Sequence, residues 1–245
     1  MDGVFDLKFK KLEVVKSTND FLRELIKHEI VSNGTFVFAD FQDNGKGQRE
    51  KGWYSDAGEN LLFTMYLEPL LSDIVHLNYL VCTTVQSFVQ KMLPNENVEI
   101  KWPNDVLVNA NKIAGILIEN SFSGSKIKNS IIGIGLNVNQ LIFPQFNRPA
   151  CSLSSLLGVK FDVDTIAKNL AQVLFEANQN KISKNNLERK YIKSLYLKNK
   201  SALFEIDNKN VTLTVFGVDP TGQLLAIDQH GVLRSFRNGS LKYLI

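Results

Sequence analysis

Cationic side chains set among glycines are the first residues in this chain that could do chemistry. In Gly45-Lys46-Gly47-Gln48-Arg49-Glu50-Lys51-Gly52-Trp53 the glycines let the backbone approach a ligand and offer amide N–H groups as an anion nest. Lys46, Arg49 and Lys51 add positive charge that could neutralise a carboxylate and a phosphate which would otherwise repel each other. A solvated hairpin tip with scattered charges explains the same run when it stands alone. The run is no dinucleotide fingerprint, because the third glycine and a following helix are missing. It is no Walker loop either, because G-K-[ST] does not occur.

Three further clusters follow. In Lys101-Trp102-Pro103-Asn104-Asp105, Pro103 forces the chain to end a strand or turn. Asn104 and Asp105 are ordinary turn formers, yet at a rim the Asn104 amide could bond a nucleotide or an acyl ligand. Lys112 stands at the mouth of a hairpin, just before a fully apolar run. It could be a surface turn residue, or its ammonium could stabilise charge developing in an in-line displacement. In Gly133-Ile134-Gly135-Leu136-Asn137-Val138-Asn139, two glycines on one strand face could leave a flat floor for a bicyclic ligand, or mark a bulge or close crossing.

Several elements must position these residues. Leu12–Val15 is a short apolar run. Ser17, Thr18 and Asn19 offer N-cap side chains to a helix with Phe21, Leu22, Leu25, Ile26 and Ile30 at helical spacing, ended by Asn33 and Gly34. Thr35–Asp40 reads as a strand, followed by a polar loop from Gln42 to Gly58 whose length marks it as functional or mobile. Asn60–Leu67 is a strand. Ser72 is expected to cap a helix running to about Leu93, with Val75, Tyr79, Val85, Phe88 and Met92 on its buried side. Strands at 98–102, 106–109, 113–120 and 130–139 form a meander, the middle two a hairpin, and helices are expected over 167–177 and 187–197. The last part changes character. SALFEI, VTLTVFGV, QLLAID, VLRSF and LKYLI are five short strands separated by turn residues, which predicts a small barrel. The division expected is 1–195 and 196–245.

The 245 residues are 44% hydrophobic and 22% charged, ordinary globular material able to bury a core. A net charge of +3 is far from the dense basic footprint of a dedicated nucleic-acid binder. Cys82 and Cys151 are the two cysteines, too few and too far apart for a disulfide framework or a metal site, so a reducing compartment is expected. The N-terminal stretch carries acidic residues and lacks a sustained apolar core, so it is no signal peptide, and no stretch approaches a membrane span. A cytoplasmic enzyme with no membrane partner is the expectation.

Taken in order, these pieces resemble the biotin–protein ligase family over essentially the whole chain. The matching parts are Ser17-Thr18-Asn19, Gln42 with G-K-G at 45–47, Trp53, KWPND at 101–105, KIAGILIE at 112–119, GIGLNVN at 133–139 and the five-strand tail. KWPND followed at fixed distance by K-I-A-G-I is the most specific of them. The resemblance implies an α/β (α+β) catalytic domain with a mixed sheet and a small C-terminal SH3-like β-barrel. It implies that biotin and Mg-ATP give biotinyl-5′-AMP, and that a lysine of a biotin carboxyl carrier protein then takes the biotin. It assigns Ser17, Thr18, Asn19, Gln42, Gly45, Lys46 and Lys112 to biotin, with Gly133 and Gly135 as the pocket floor. Arg49, Lys51, Trp53, Asn104, Lys112 and Asn137 fall to ATP, and Lys112 and Arg49 to the chemical step. Trp53 is expected on adenine and Trp102 in a structural place. No protein ligand to a metal is expected; Mg²⁺ would come with ATP.

The departures are in the loop. The family pattern is close to G-R-G-R-x-G-R, whereas Lys46, Gln48, Glu50 and Lys51 stand at four of its places. A lysine or glutamine does not replace the bidentate fork of an arginine, so retention of an adenylate is the property most exposed to these changes. Only sixteen residues precede Ser17, which predicts a monofunctional ligase without DNA binding; monomer and homodimer both stay open. The competing readings are a lipoate- or octanoate-transferring enzyme, which would need an R-R-x-x-G-G loop, a non-catalytic biotin sensor or adaptor, and a nucleic-acid binder.

Overall fold

The computed structural model describes residues 5–71, 73–180 and 182–244. β1 (Phe9–Val15), α1 (Thr18–His28) and β2 (Phe36–Gln42) form a parallel crossover unit, since β1 and β2 run side by side in the same direction. The chain then goes antiparallel. β3 (Asn60–Leu67) pairs with β2 and with β7 (Lys126–Asn137), which continues through β6 (Asn111–Ser123) and β5 (Asp105–Val108) to β4 (Val98–Lys101). The result is a mixed seven-stranded sheet in the order β1-β2-β3-β7-β6-β5-β4. β3 is buried along its whole length. Its near-continuous apolar run is what a strand covered on both faces requires.

The two faces are covered differently. One carries α2 (Ile74–Met92), α4 (Val163–Gln179) and α5 (Lys184–Lys193), whose Leu77, Val85, Leu170 and Tyr191 join Phe63, Met65, Ile132 and Ile134 of the sheet in the main core. The other carries α1 at one end only. There Leu22 packs with Val37, Tyr66 and Ile131 in a small separate cluster, a burial that stabilises by roughly 1.5–3 kcal/mol for Leu22 alone. Beyond α1 no α-helix of the described residues covers this second face, and the glycines lie there.

Several boundaries differ from the sequence reading. α1 stops at His28 with Glu29 extended, before Asn33-Gly34. Ile30, expected on its apolar face, is fully exposed, and the β-branched pair Ile30-Val31 favours extended backbone over another helical turn. α2 is capped by Asp73, whose carboxylate accepts from His76 N at 2.9 Å; Ser72, the expected cap, lies outside the described residues. α5 ends at Lys193, so Leu195 is free to pair with Ile100 beside β4. A short helix, α3 (Leu153–Leu157), was not expected. A reciprocal Ser152/Ser155 capping box starts it and Gly158 at φ 70° ends it.

The five C-terminal runs are all strands: β8 (Ser201–Ile206), β9 (Lys209–Val218), β10 (Leu224–Asp228), β11 (Leu233–Phe236) and β12 (Lys242–Tyr243). They form an antiparallel sheet in the order β11-β10-β9-β8-β12. Among the described residues β11 and β12 do not pair, and β12 is two residues long, so the sheet is open where a closed barrel was expected. Trp102, 4% exposed, donates its indole N–H to Gly222 O at 2.9 Å and so ties this sheet to the first. That is the structural place expected for it. No helix of the described residues is long and apolar enough to cross a membrane.

Candidate active site

The site begins with three glycines on the face that the helices leave open. Gly133 and Gly135 alternate along β7 and point the same way, and Gly115 of β6 lies opposite Gly135. A side chain would collide with its neighbours at 133 and 135 and be tight at 115. A Cβ on Gly133 would lie 2.3 Å from Asn19 Oδ1, and one on Gly135 would lie 2.3 Å from Trp53 Cε2. On Gly115 it would meet Trp53 Cζ3 at 3.0 Å and Lys112 Nζ at 3.2 Å.

The wall at the Gly133 end is built by the start of α1. Ser17 caps the helix, and the backbone N–H and hydroxyl of Thr18 both donate to Gln42 Oε1, at 2.7 and 3.0 Å. Thr64 Oγ1 lies 2.7 Å from both Thr18 Oγ1 and Asn19 Oδ1, while Asn19 Nδ2 donates to Glu119 Oε2 at 2.8 Å. Arg23 joins Glu119 to Asp20, and Asp20 Oδ2 in turn holds Lys46 Nζ at 2.6 Å. Burial is the largest influence on the Asp20 carboxyl and pushes its pKa up. Hydrogen bonds and charges from Lys46 and Arg23 together outweigh it and hold the carboxyl below its ordinary value. Every polar group of this wall is positioned by another.

The glycine-rich segment closes on itself as a tight hairpin. Trp53 N donates to Gly45 O at 2.8 Å, Gly47 N to Lys51 O at 2.6 Å, and Lys51 N to Gln48 O at 3.3 Å. A Cβ on Gly45 would lie 2.7 Å from Trp53 O, so glycine is what permits the closure. The hairpin returns Trp53 onto the floor, where its ring covers Gly135 and Gly115 and lies 5.4 Å from Lys112 Nζ.

Lys112 is held from below. Asp105 sits at the start of β5 between two lysines on the neighbouring strands, with Oδ1 2.8 Å from Lys112 Nζ and Oδ2 3.1 Å from Lys101 Nζ. Burial would raise the Asp105 pKa, but the charges of Lys112 and then Lys101, with hydrogen bonds from both, keep it lowered. For Lys101 burial wins, and its pKa is lowered despite Asp105. Asn137 Nδ2 donates to Cys151 O at 2.9 Å and to Lys112 O at 3.3 Å, which fixes the backbone that carries the lysine. Two buried polar atoms here have no partner among the described residues, Trp53 Nε1 and Asn137 Oδ1. Leaving such groups unsatisfied costs about 1–3 kcal/mol each; a polar ligand could complete both a donor and an acceptor beside the ammonium.

The residues singled out from sequence therefore fall into groups. Ser17, Thr18, Asn19, Gln42 and Gly133 form one end of the site, and Gly45, Trp53, Lys112, Gly135 and Asn137 the other. Lys46 points back to α1. Lys51 is exposed, and Arg49 turns away toward the C-terminal sheet, against Gly239. The Asn104 amide donates to Ile116 O at 2.6 Å and so braces β6. Sequence reasoning missed Asp105, Gly115, Asp20, Thr64 and Glu119. Gly115 had a signal, since strand pairing sets it against Gly135. Asp105 had one in its two flanking lysines. Among the described residues no three His, Cys, Asp or Glu side chains gather as a metal site, and the carboxylate nearest Lys112 is already shared by two ammonium groups.

Comparison with known proteins gives the family and the fold. The profile described as the biotin/lipoate A/B protein ligase family matches residues 12–137, just over half of the chain. The bifunctional ligase/repressor BirA of Bacillus spizizenii is 34% identical over 155 residues, which is 61% of this chain and 47% of that protein. The biotin–[acetyl-CoA-carboxylase] ligase of Paracoccus denitrificans is 34% identical over 111 residues, 44% of this chain and 46% of that one. The chain thus spans about half the length of these relatives. Among solved structures, the biotin protein ligase from Aquifex aeolicus in complex with biotin and ATP superposes with a TM-score of 0.79 at 24% identity, over 98% of this chain and 100% of that one. At that identity the likeness is one of fold.

Proposed function

The chain belongs to the biotin/lipoate A/B protein ligase family, and from that premise we propose that it joins biotin to AMP and passes the biotin to a lysine of a carboxyl carrier domain. The observation that carries this reading is the Lys112 ammonium. It is anchored by Asp105 at 2.8 Å, lies beside the Gly115–Gly135 floor, and is covered by the ring of Trp53. A carboxylate brought to that floor and the α-phosphate it must attack repel each other, and a fixed cation between them lowers the barrier most where charge is greatest, in the transition state.

Two steps follow. A biotin carboxylate oxygen forms a bond to the α-phosphorus while the bond from that phosphorus to the bridging oxygen breaks, and pyrophosphate leaves. The ε-amine of the acceptor lysine then attacks the acyl carbon, the bond from that carbon to the AMP oxygen breaks, and the amine loses a proton. Ser17, Thr18, Asn19, Gln42 and Gly133 at one end, with Gly45 and Gly135 nearer Lys112, line the biotin pocket, and Lys46 stands at its rim. Arg49, Lys51, Trp53, Asn104 and Asn137 serve the nucleotide. Mg²⁺ enters on the phosphates of ATP as part of the substrate. We take residues 1–195 as the catalytic unit and 196–245 as a unit of the SH3-like kind, a reading supported by its five short antiparallel strands.

The decisive experiment is the intact mass of a carboxyl carrier domain incubated with the protein, ATP, Mg²⁺ and biotin. One added biotinyl group is expected; an unchanged mass sinks the proposal. Because the family includes lipoate enzymes, a thermal-shift series adds a second control. Biotin should raise the melting temperature by mass action, and lipoate should leave it unmoved.

A further inference from the structure

We infer that the Asn238-Gly239 turn of the C-terminal sheet is a positioning element for the cationic hairpin, so that the C-terminal unit takes part in nucleotide capture. The inference rests on the reading of Arg49 as a nucleotide-binding residue. Its basis is a contact between segments 190 residues apart in sequence: Asn238 Nδ2 donates to Gln48 Oε1 at 2.8 Å. Next to it the Arg49 guanidinium lies directly on Gly239. A Cβ there would stand 1.1 Å from Nη1, 1.7 Å from Cζ and 2.1 Å from Nη2. No side chain fits at 239 while Arg49 keeps this place, and the glycine's φ of +82° favours no other residue.

The turn itself is preformed. Ser240 donates to Arg237 O twice, from its N–H at 3.0 Å and from its hydroxyl at 2.8 Å. The hairpin is not relaxed by comparison, because Arg49 takes the left-handed conformation at φ 56° and ψ 50°, a region that a non-glycine residue occupies only when its surroundings hold it there. The hairpin is slung between two anchors. Lys46 reaches Asp20 on α1, and Gln48 with Arg49 reaches the C-terminal turn. Glutamine at 48 supplies the acceptor that Asn238 Nδ2 uses here. Docking holds the hairpin in one place before a triphosphate arrives, which reduces the ordering that binding must otherwise supply.

Asn238→Ala, Gly239→Ala, Gln48→Ala and the Gln48→Ala/Asn238→Ala pair test this in two arms. In the first, unliganded protein is digested briefly with trypsin, which cuts after Lys46, Arg49 and Lys51. Cleavage within 46–51 should run several-fold faster in Asn238→Ala and Gly239→Ala than in wild type, with melting temperatures matched. In the second arm, biotin-dependent pyrophosphate release should show a KM for ATP raised about threefold to tenfold, the range of one lost hydrogen bond, with the KM for biotin unmoved. The double variant should be no worse than either single one, as expected of partners in one contact. Unchanged cleavage overturns the docking. Faster cleavage with an unaltered KM for ATP overturns the positioning role, as do additive effects in the double variant. A wild-type protein that releases no pyrophosphate brings down the ligase reading and with it the nucleotide role, while the cleavage arm still decides the docking. Should Gly239→Ala fail to fold, the exposed Asn238→Ala change decides both arms.

Discussion

The two faces of the seven-stranded sheet answer to different rules. On the helical face, side chains such as Phe63, Met65, Ile132 and Ile134 join those of α2 and α4 in one apolar cluster. On the opposite face the same strands β3, β6 and β7 present Thr64, Gly115, Gly133, Gly135 and Asn137, and the cover there is the end of α1 and a hairpin. Neighbouring residues of one strand therefore serve opposite ends: Ile134 fills a core and Gly135 keeps a space. Stability is concentrated on one side of the sheet and chemistry on the other.

Substitutions on each side should separate these properties. The largest effect is expected from Lys112→Ala. Loss of one positioned charge should slow adenylate formation by about 100- to 1,000-fold, read as pyrophosphate release, while the melting temperature falls only by the share of the Asp105 pairing that Lys101 does not keep. A loss below about tenfold would mean that another group carries the chemistry. Leu170→Ala, on the helical face and 0% exposed, should do the reverse. It should cost about 2–5 kcal/mol in denaturant unfolding and leave kcat of the folded fraction unaltered. A kcat that falls in step with stability would show that the faces are not independent.

Two smaller effects sharpen the division. Gly135→Ala places a methyl 2.3 Å from the Trp53 ring and should displace the indole, weakening biotin about tenfold, an order of magnitude chosen from the loss or clash of a few atoms in a pocket. Isothermal titration checks it, and unchanged affinity would put the ligand elsewhere. The smallest effect concerns pH. The Asp105 pKa is lowered from its ordinary 3.8, so its contribution to stability is fully present above that value and is lost as pH falls through the lowered folded-state value. Asp105→Asn should melt below wild type near neutral pH, and the gap should close in acid. A gap that persists unchanged in acid would exclude the carboxylate charge as its source.

How much of this was legible in the sequence follows the same division. The strands of the meander and of the C-terminal sheet were readable because their β-branched runs and turn residues are local signals. The glycine floor was readable as alternation in GIGLN, and the hairpin as a polar run too long to be idle. What could not be read were the groups whose role depends on register across strands or on contacts between distant segments. Asp105 looks like a turn former until pairing sets Lys101 and Lys112 on either side of it. Asn104 reads as a rim amide, and the Ile116 carbonyl to which it donates comes into view only once β5 and β6 lie side by side. The end of α1 was misjudged because Ile30 continues the helical period without being buried, and the short α3 offers too few turns to show a period at all.

The chain holds two tryptophans, and their situations could hardly differ more. Trp102 is locked by its bond to Gly222 and supplies a steady emission background. Trp53 rests against the glycines with a bare N–H and an ammonium 5.4 Å from its ring. Filling the site must alter the surroundings of that one indole, so the protein carries its own optical probe, and a stopped-flow trace of its native fluorescence should time the arrival of each substrate without any added label.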